Sequence, residues 1–180
     1  MARLPLIDPE ATSGDIRASF DRMPVKLNIF RMMAHAEANM IPAMRLGNSI
    51  LHRQKLGAVN RELLILQAAQ LEGGAYEWRQ HVPIALRVGL TPDEVAGVAD
   101  GARSISFTQR QQTLLAVADE LLDRHELSDA TWGAVQATLR EREAIELCLL
   151  IGHYQGLASA IGGLGIQIEQ TARAERPEEP

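Results

Sequence analysis

Apolar residues recur at the 3.6-residue helical period through almost the whole chain, and the alternating Val, Ile and Thr runs that announce strands are missing. This pattern predicts an all-α fold, a compact helical bundle, and local punctuation divides it. Helices are expected over Asp15 to Asp21 and Val25 to Glu37, separated at Met23-Pro24 because a residue before proline is pushed out of helical geometry. Ala38 to Lys55 forms another, bent at Pro42. Asn60 reads as the N-cap of a helix through Leu71 that Gly73-Gly74 ends, and Ala75 to Val88 follows, closed by Gly89. Thr91-Pro92-Asp93-Glu94 combines a threonine cap, proline at the first helical position and glutamate at the third. Thr108 with Gln111 repeats this device and opens a helix to about His125. Ser128 caps one to about Arg140, and the last runs from about Arg142 to Ile161, broken by Gly162-Gly163-Leu164-Gly165.

A length of 180 residues fits one core with an extension. The expected division is an N-terminal arm and helical extension over 1–57, a helical core over 58–169 and a charged, proline-containing frayed tail over 170–180. The formal net charge of -5 supplies no basic field for phosphates, which excludes nucleic acid and an anionic membrane as main partners. No secretory signal is visible at the N-terminus, and the apolar run Leu147 to Gly152 is too short to span a bilayer, so a cytoplasmic protein is expected. The single cysteine, Cys148, excludes an internal disulfide and a cysteine-rich metal site and reads as a small buried apolar residue. His35, His52 and His125 show no metal-like spacing.

Chemistry concentrates between Asn60 and His81. The helix from Leu63 to Leu71 is apolar on nearly every side and should be central and buried, with Glu62 at its start. In the next helix Glu77 and His81 are four residues apart and share a face. That row continues through apolar Ile84 and Val88, whereas Arg79, Pro83 and Arg87 make a solvent-facing row. Glu77 and His81 are therefore expected to point inward, where a carboxylate favours the protonated imidazole and burial opposes it. Glu62, Glu77 and His81 would form an acid-base cluster where two helices meet at a glycine break. His81 is expected to donate or shuttle the proton, oriented by Glu77, with Glu62 as a supporting or second acid.

The Arg61-Glu62-Leu63 opening, Ala75-Tyr76-Glu77-Trp78 with His81 three residues on, the Gly89-Leu90-Thr91 turn and the Leu-rich last helix ending in Leu164-Gly165 resemble the carboxymuconolactone decarboxylase family, which includes the alkylhydroperoxidase D-like proteins. The resemblance covers about residues 60–169 and implies the alkylhydroperoxidase D-like fold. It places the glutamate of the peroxidase branch at Glu62, its Cys-x-x-Cys pair at Gly74 and Glu77, and its histidine at His81. Both thiols are absent, so dithiol peroxide reduction has no nucleophile here. The branch implied keeps the acid-base function: a cofactor-independent decarboxylase-like lyase or isomerase for a small carboxylated or lactone-type metabolite, in the style of aromatic catabolism.

Tyr76, Trp78, His153 and Tyr154 are the expected substrate-binding residues, with no metal and no cofactor. Gly152, Gly156 and Ala160 recur every fourth residue, and the resemblance implies a homo-oligomer, a trimer, hexamer or dimer. Two other functions stay open: a peroxidase-like oxidoreductase of the same fold, disfavoured by the missing cysteine pair, and a non-catalytic oligomeric binding protein. Arg61, Arg45, Arg53 and Arg79 are all available to bind a substrate carboxylate.

Overall fold

The computed structural model describes residues 2–169, so the expected frayed tail lies outside the described residues. Among them there are nine α-helices and no strand. They form two compact units, residues 2–41 with 164–169, and residues 42–163. This division lies earlier in the chain than the one expected after residue 57.

In the first unit an extended arm leads into a 3-10 turn at Pro9–Ala11, then α1 (Gly14–Asp21), α2 (Asn28–Met33) and the first turn of α3 (Glu37–Arg53). α2 is shorter than the run expected from Val25. Leu27 is extended (ψ 144°), and the Asn28 N–H donates to the Glu169 carboxylate at 2.6 Å, so a tertiary contact fixes the helix start. The arm is held by Arg3 N–H to the Leu164 carbonyl (2.9 Å) and by Arg31 Nε to the Ile7 carbonyl (3.0 Å).

The second unit contains the rest of α3, then α4 (Ala58–Leu71), α5 (Ala75–Val88), α6 (Pro92–Gly97), a 3-10 segment over Val98–Arg103, α7 (Gln109–Arg124), α8 (Asp129–Thr138) and α9 (Glu141–Leu164). α4 is buried on almost every side because nearly every side has an apolar neighbour. Leu64, Ile65 and Ala68 join Leu114, Val117 and Ala118 of α7, Val135 of α8 and Leu147, Leu150, Ile151 and Tyr154 of α9. Leu63 and Leu66 pack with Ala85, Leu90, Val98, Phe107 and Leu115. Burying each such side chain stabilises the fold by about 1.5–3 kcal/mol before entropic costs. Both expected capping boxes form, at Thr91/Glu94 and Thr108/Gln111. The Gln111 Nε2 donates to Glu94 at 3.0 Å and so ties the starts of α6 and α7 together.

Three local expectations need correction. Asn60 is not the cap of α4. The helix starts after Gly57, whose φ of 82° is a left-handed conformation glycine adopts without a Cβ clash, and Asn60 Nδ2 instead donates back to the Leu56 carbonyl at 2.8 Å. Gly162 and Gly163 do not break α9, which continues to Leu164 before Gly165 turns left-handed at φ 64°. Helical glycine costs about 1 kcal/mol against alanine, a penalty a long helix tolerates. Cys148 is exposed on α9 rather than buried. Among the described residues, α9 is also the helix that by length and composition could cross a bilayer, although its Leu147, Leu150 and Ile151 sit in the core just described.

Candidate active site

Starting α4 at Ala58 places Glu62 one full turn inside the helix, with no exposed surface. A carboxylate there requires partners, and each oxygen has one. Oε1 accepts from Arg61 Nε at 2.8 Å, and Oε2 faces His81 Nδ1 at 2.8 Å. Arg61 also donates from Nη1 to the Leu51 carbonyl at 2.6 Å, near the end of α3, so the guanidinium bridges α3 and Glu62. Burial acts to raise the Glu62 pKa, but the hydrogen bond and charge of His81, followed by those of Arg61, outweigh it and leave it lowered. Glu62 is therefore ionised at neutral pH.

His81 carries the network onward. With Nδ1–H donating to Glu62, its Nε2 is the acceptor for the Tyr154 hydroxyl of α9, at 3.3 Å, and the two rings meet edge to face with centroids 5.3 Å apart. Burial first, and then the Glu62 charge, push the Tyr154 hydroxyl far above its usual range, so it stays protonated and available as a donor. Arg61, Glu62, His81 and Tyr154 thus form one chain across α4, α5 and α9.

Glu77 lies outside that chain, which corrects the expectation that it orients His81. Helical side chains lean toward the N-terminus. Glu77 leans back over the start of α5, where its Oε2 lies 2.7 Å from the position a Cβ would take on Gly74. His81 leans instead toward the ionised, Arg61-supported Glu62. Glu77 is 4% exposed, no other residue hydrogen-bonds either carboxyl oxygen, and burial pushes its pKa up against the pull of its own backbone N–H and of His81.

The remaining expected residues are dispersed. His153 is half-buried beside Tyr154, with ring centroids 5.4 Å apart, and burial lowers its pKa. Trp78 is half-buried and packs on the Leu63/Leu66 cluster, and Tyr76 is buried in α5. Pro83, Arg79 and Arg87 are exposed, as the helix rows predict. Arg61 is engaged by Glu62 and a backbone carbonyl, a role missed in the sequence because neighbours in a chain give no hint of which acceptors they reach. Among the described residues no group of three or more His, Cys, Asp or Glu is arranged to hold a metal.

Residues 40–120 match the family model of the carboxymuconolactone decarboxylase family. Over that span the chain is similar to the carboxymuconolactone decarboxylase family. No curated protein matches the chain. Similar solved structures include an alkylhydroperoxidase AhpD core, an uncharacterized peroxidase-related protein from Ralstonia eutropha JMP134, at 18% identity and TM-score 0.81, covering 94% of this chain and 93% of the other. A peroxidase-related protein from Silicibacter sp. TM1040 is similar at 13% identity and TM-score 0.78, over 93% and 92%. The debrominase Bmp8, in a cysteine-to-alanine form complexed with 2,3,4-tribromopyrrole, is similar at 17% identity and TM-score 0.76, over 94% and 92%. At these identities the likeness establishes the alkylhydroperoxidase D-like fold.

The two positions where the resemblance puts a redox pair hold Gly74 and a carboxyl group lying directly over it. Gly74→Ala is expected to force that carboxyl aside, with a stability loss of about 1 kcal/mol in denaturant unfolding. The loss should vanish when Gly74→Ala is combined with Glu77→Ala. An additive double variant would show that the strain lies elsewhere, for instance against the Ala69 backbone, 3.4 Å from the same point.

Proposed function

We propose that this protein transfers protons without a cofactor, as a decarboxylase-like lyase or isomerase acting on a small carboxylated or lactone-type metabolite. The observation that carries the reading is His81 held between ionised Glu62 at 2.8 Å and the Tyr154 hydroxyl at 3.3 Å. A carboxylate at Nδ1 fixes the ring's orientation and tautomer, while the longer contact at Nε2 is the one a substrate can replace. In decarboxylation the bond between the carboxylate and its carbon breaks. Its electron pair enters the conjugated carbonyl or lactone, carbon dioxide leaves, and the resulting enolate carbon takes a proton from His81 Nε2, which first takes that proton from solvent in place of the Tyr154 hydrogen bond. Isomerisation uses the same groups, with a carbon-bound proton removed and returned.

A second reading, a non-catalytic binding protein, draws on a specific observation. Two grooves, of about 540 Å³ beside Asp119 and about 570 Å³ beside Arg103, offer binding surfaces away from Glu62, Glu77 and His81. The His81 side chain is 12% exposed, which is the solvent edge from which a substrate would enter. Incubating the protein in deuterium oxide with a panel of β-keto acids and carboxylated unsaturated lactones separates the readings. The expected result is carbon dioxide release or deuterium at the carbon beside the carbonyl. Neither event on any compound would favour the binding protein.

The same reading includes a cytoplasmic homo-oligomer, a dimer, trimer or hexamer. It is supported by the exposed Ile145, Leu149, Gly152 and Gly156 on α9. Light scattering of a monomer at micromolar concentration would contradict it.

A further inference from the structure

We propose that Glu77 is the group of this site that meets the substrate's oxygen, a carboxyl hydrogen-bond donor for a carbonyl or enolate oxygen, with Glu62 and His81 acting as the base. The inference rests on the proton-transfer reading and adds an acid and a substrate class to it.

Two carboxyl groups stand on adjacent helices in opposite surroundings. Glu62 is fully buried and receives Arg61 Nε and His81 Nδ1. Glu77 is only 4% exposed, no other residue donates a hydrogen bond to either oxygen, and burial outweighs the pull of its own backbone N–H and of His81. An ionised carboxylate without donors in such a place would bear the full cost of lost hydration, whereas a neutral carboxyl bears much less. The titratable and charged groups that act on this part of the site are His81, Tyr154, Glu62 and Arg61; His81 also acts on Glu77 through space, but its Nδ1–H and the Nε–H of Arg61 are both given to Glu62. Carboxyl groups whose environments drive them apart in this way divide into an acid and a base.

Gly74 makes the arrangement possible, since a side chain at that position would press on the Glu77 carboxyl. A carboxyl O–H with no acceptor, set in a site of low polarity, is most effective where negative charge develops on an oxygen. The substrates that develop such charge during proton transfer at carbon are β-keto acids, unsaturated lactones and enolisable ketones, in which the reacting carbon adjoins a carbonyl. A carboxylic acid lacking that neighbouring carbonyl would offer nothing for Glu77 to stabilise.

The test uses the full chain and 4-nitrophenol, whose phenolate presents one anionic oxygen on a planar frame, as an enolate does. Infrared difference spectra of the parent against E77Q at neutral pH are expected to show a protonated-carboxyl band that the variant lacks, and 4-nitrophenol should shift it. Dissociation constants should rise about tenfold in E77L, which removes the donor while filling the space, and less in E77Q, which keeps an amide donor. Absence of the band, or equal phenol affinity in E77L, would overturn the proposal. Deuterium exchange that requires His81 while Glu77 proves ionised would leave the proton-transfer reading standing and remove this inference. The Glu77 band and phenol binding without any exchange would do the reverse.

Discussion

Replacing His81 with asparagine is expected to lower turnover by about 10²- to 10⁴-fold, the usual contribution of a positioned proton-transfer group, while the protein remains folded. Asparagine is the informative choice because its amide nitrogen falls near the position of Nδ1 and can still donate to Glu62 Oε2. Alanine cannot, and would leave a fully buried carboxylate oxygen without its donor, at a cost of about 1–3 kcal/mol. The sequence alone suggests that His81→Ala would leave stability nearly intact; the Glu62 contact makes that expectation too generous. Steady-state rates on whichever panel compound reacts, taken with thermal unfolding of both variants, separate the two effects. An asparagine variant with the parental rate would remove His81 from the chemistry.

What the sequence disclosed followed the range of the interaction. Helix ends set by local chemistry, such as the Thr91/Glu94 and Thr108/Gln111 boxes, were legible because cap and partner lie three residues apart. The central burial of α4 was legible because a helix with no polar side has to be covered. The role of Gly57 was not legible because asparagine is the commoner cap and a positive φ leaves no mark in sequence beyond the glycine itself. At the site, Glu62, Glu77 and His81 stand out in the sequence as candidates, but which of them pair does not. The i, i+4 spacing pointed to Glu77 and His81, whereas the ring turns to a carboxylate nineteen positions earlier, which Arg61 stabilises, while for Glu77 burial outweighs the pull of its own backbone N–H and of His81. The Tyr154 contact depends on how α9 lies against α5, which no local pattern encodes.

Glu62→Leu is expected to destabilise the fold by about 3–5 kcal/mol, the cost of removing one partner from a buried charge network. The remaining guanidinium of Arg61 keeps only the Leu51 carbonyl, and His81 Nδ1 loses its acceptor. Glu62→Gln should cost less, since its carbonyl oxygen can accept from Arg61 while its amide group conflicts only with the His81 donor. The two variants also differ from the parent in their response to acid. Because the folded Glu62 pKa lies below the ordinary glutamate value of 4.5, the unfolded chain takes up this proton first as pH falls. The stabilisation from Glu62 is thus complete above about pH 4.5 and is lost as pH descends through the lower folded value. Glu77 has the opposite sign: its folded pKa is raised, so its contribution weakens as pH rises from 4.5 through that value. Denaturant unfolding from neutral pH to about pH 3 should show the Glu62-dependent acid slope in the parent and its loss in Glu62→Gln. If Glu62→Leu were as stable as the parent at neutral pH, the network would be dispensable for folding, and the ionised state assigned to Glu62 as the anchor of His81 would lose its support.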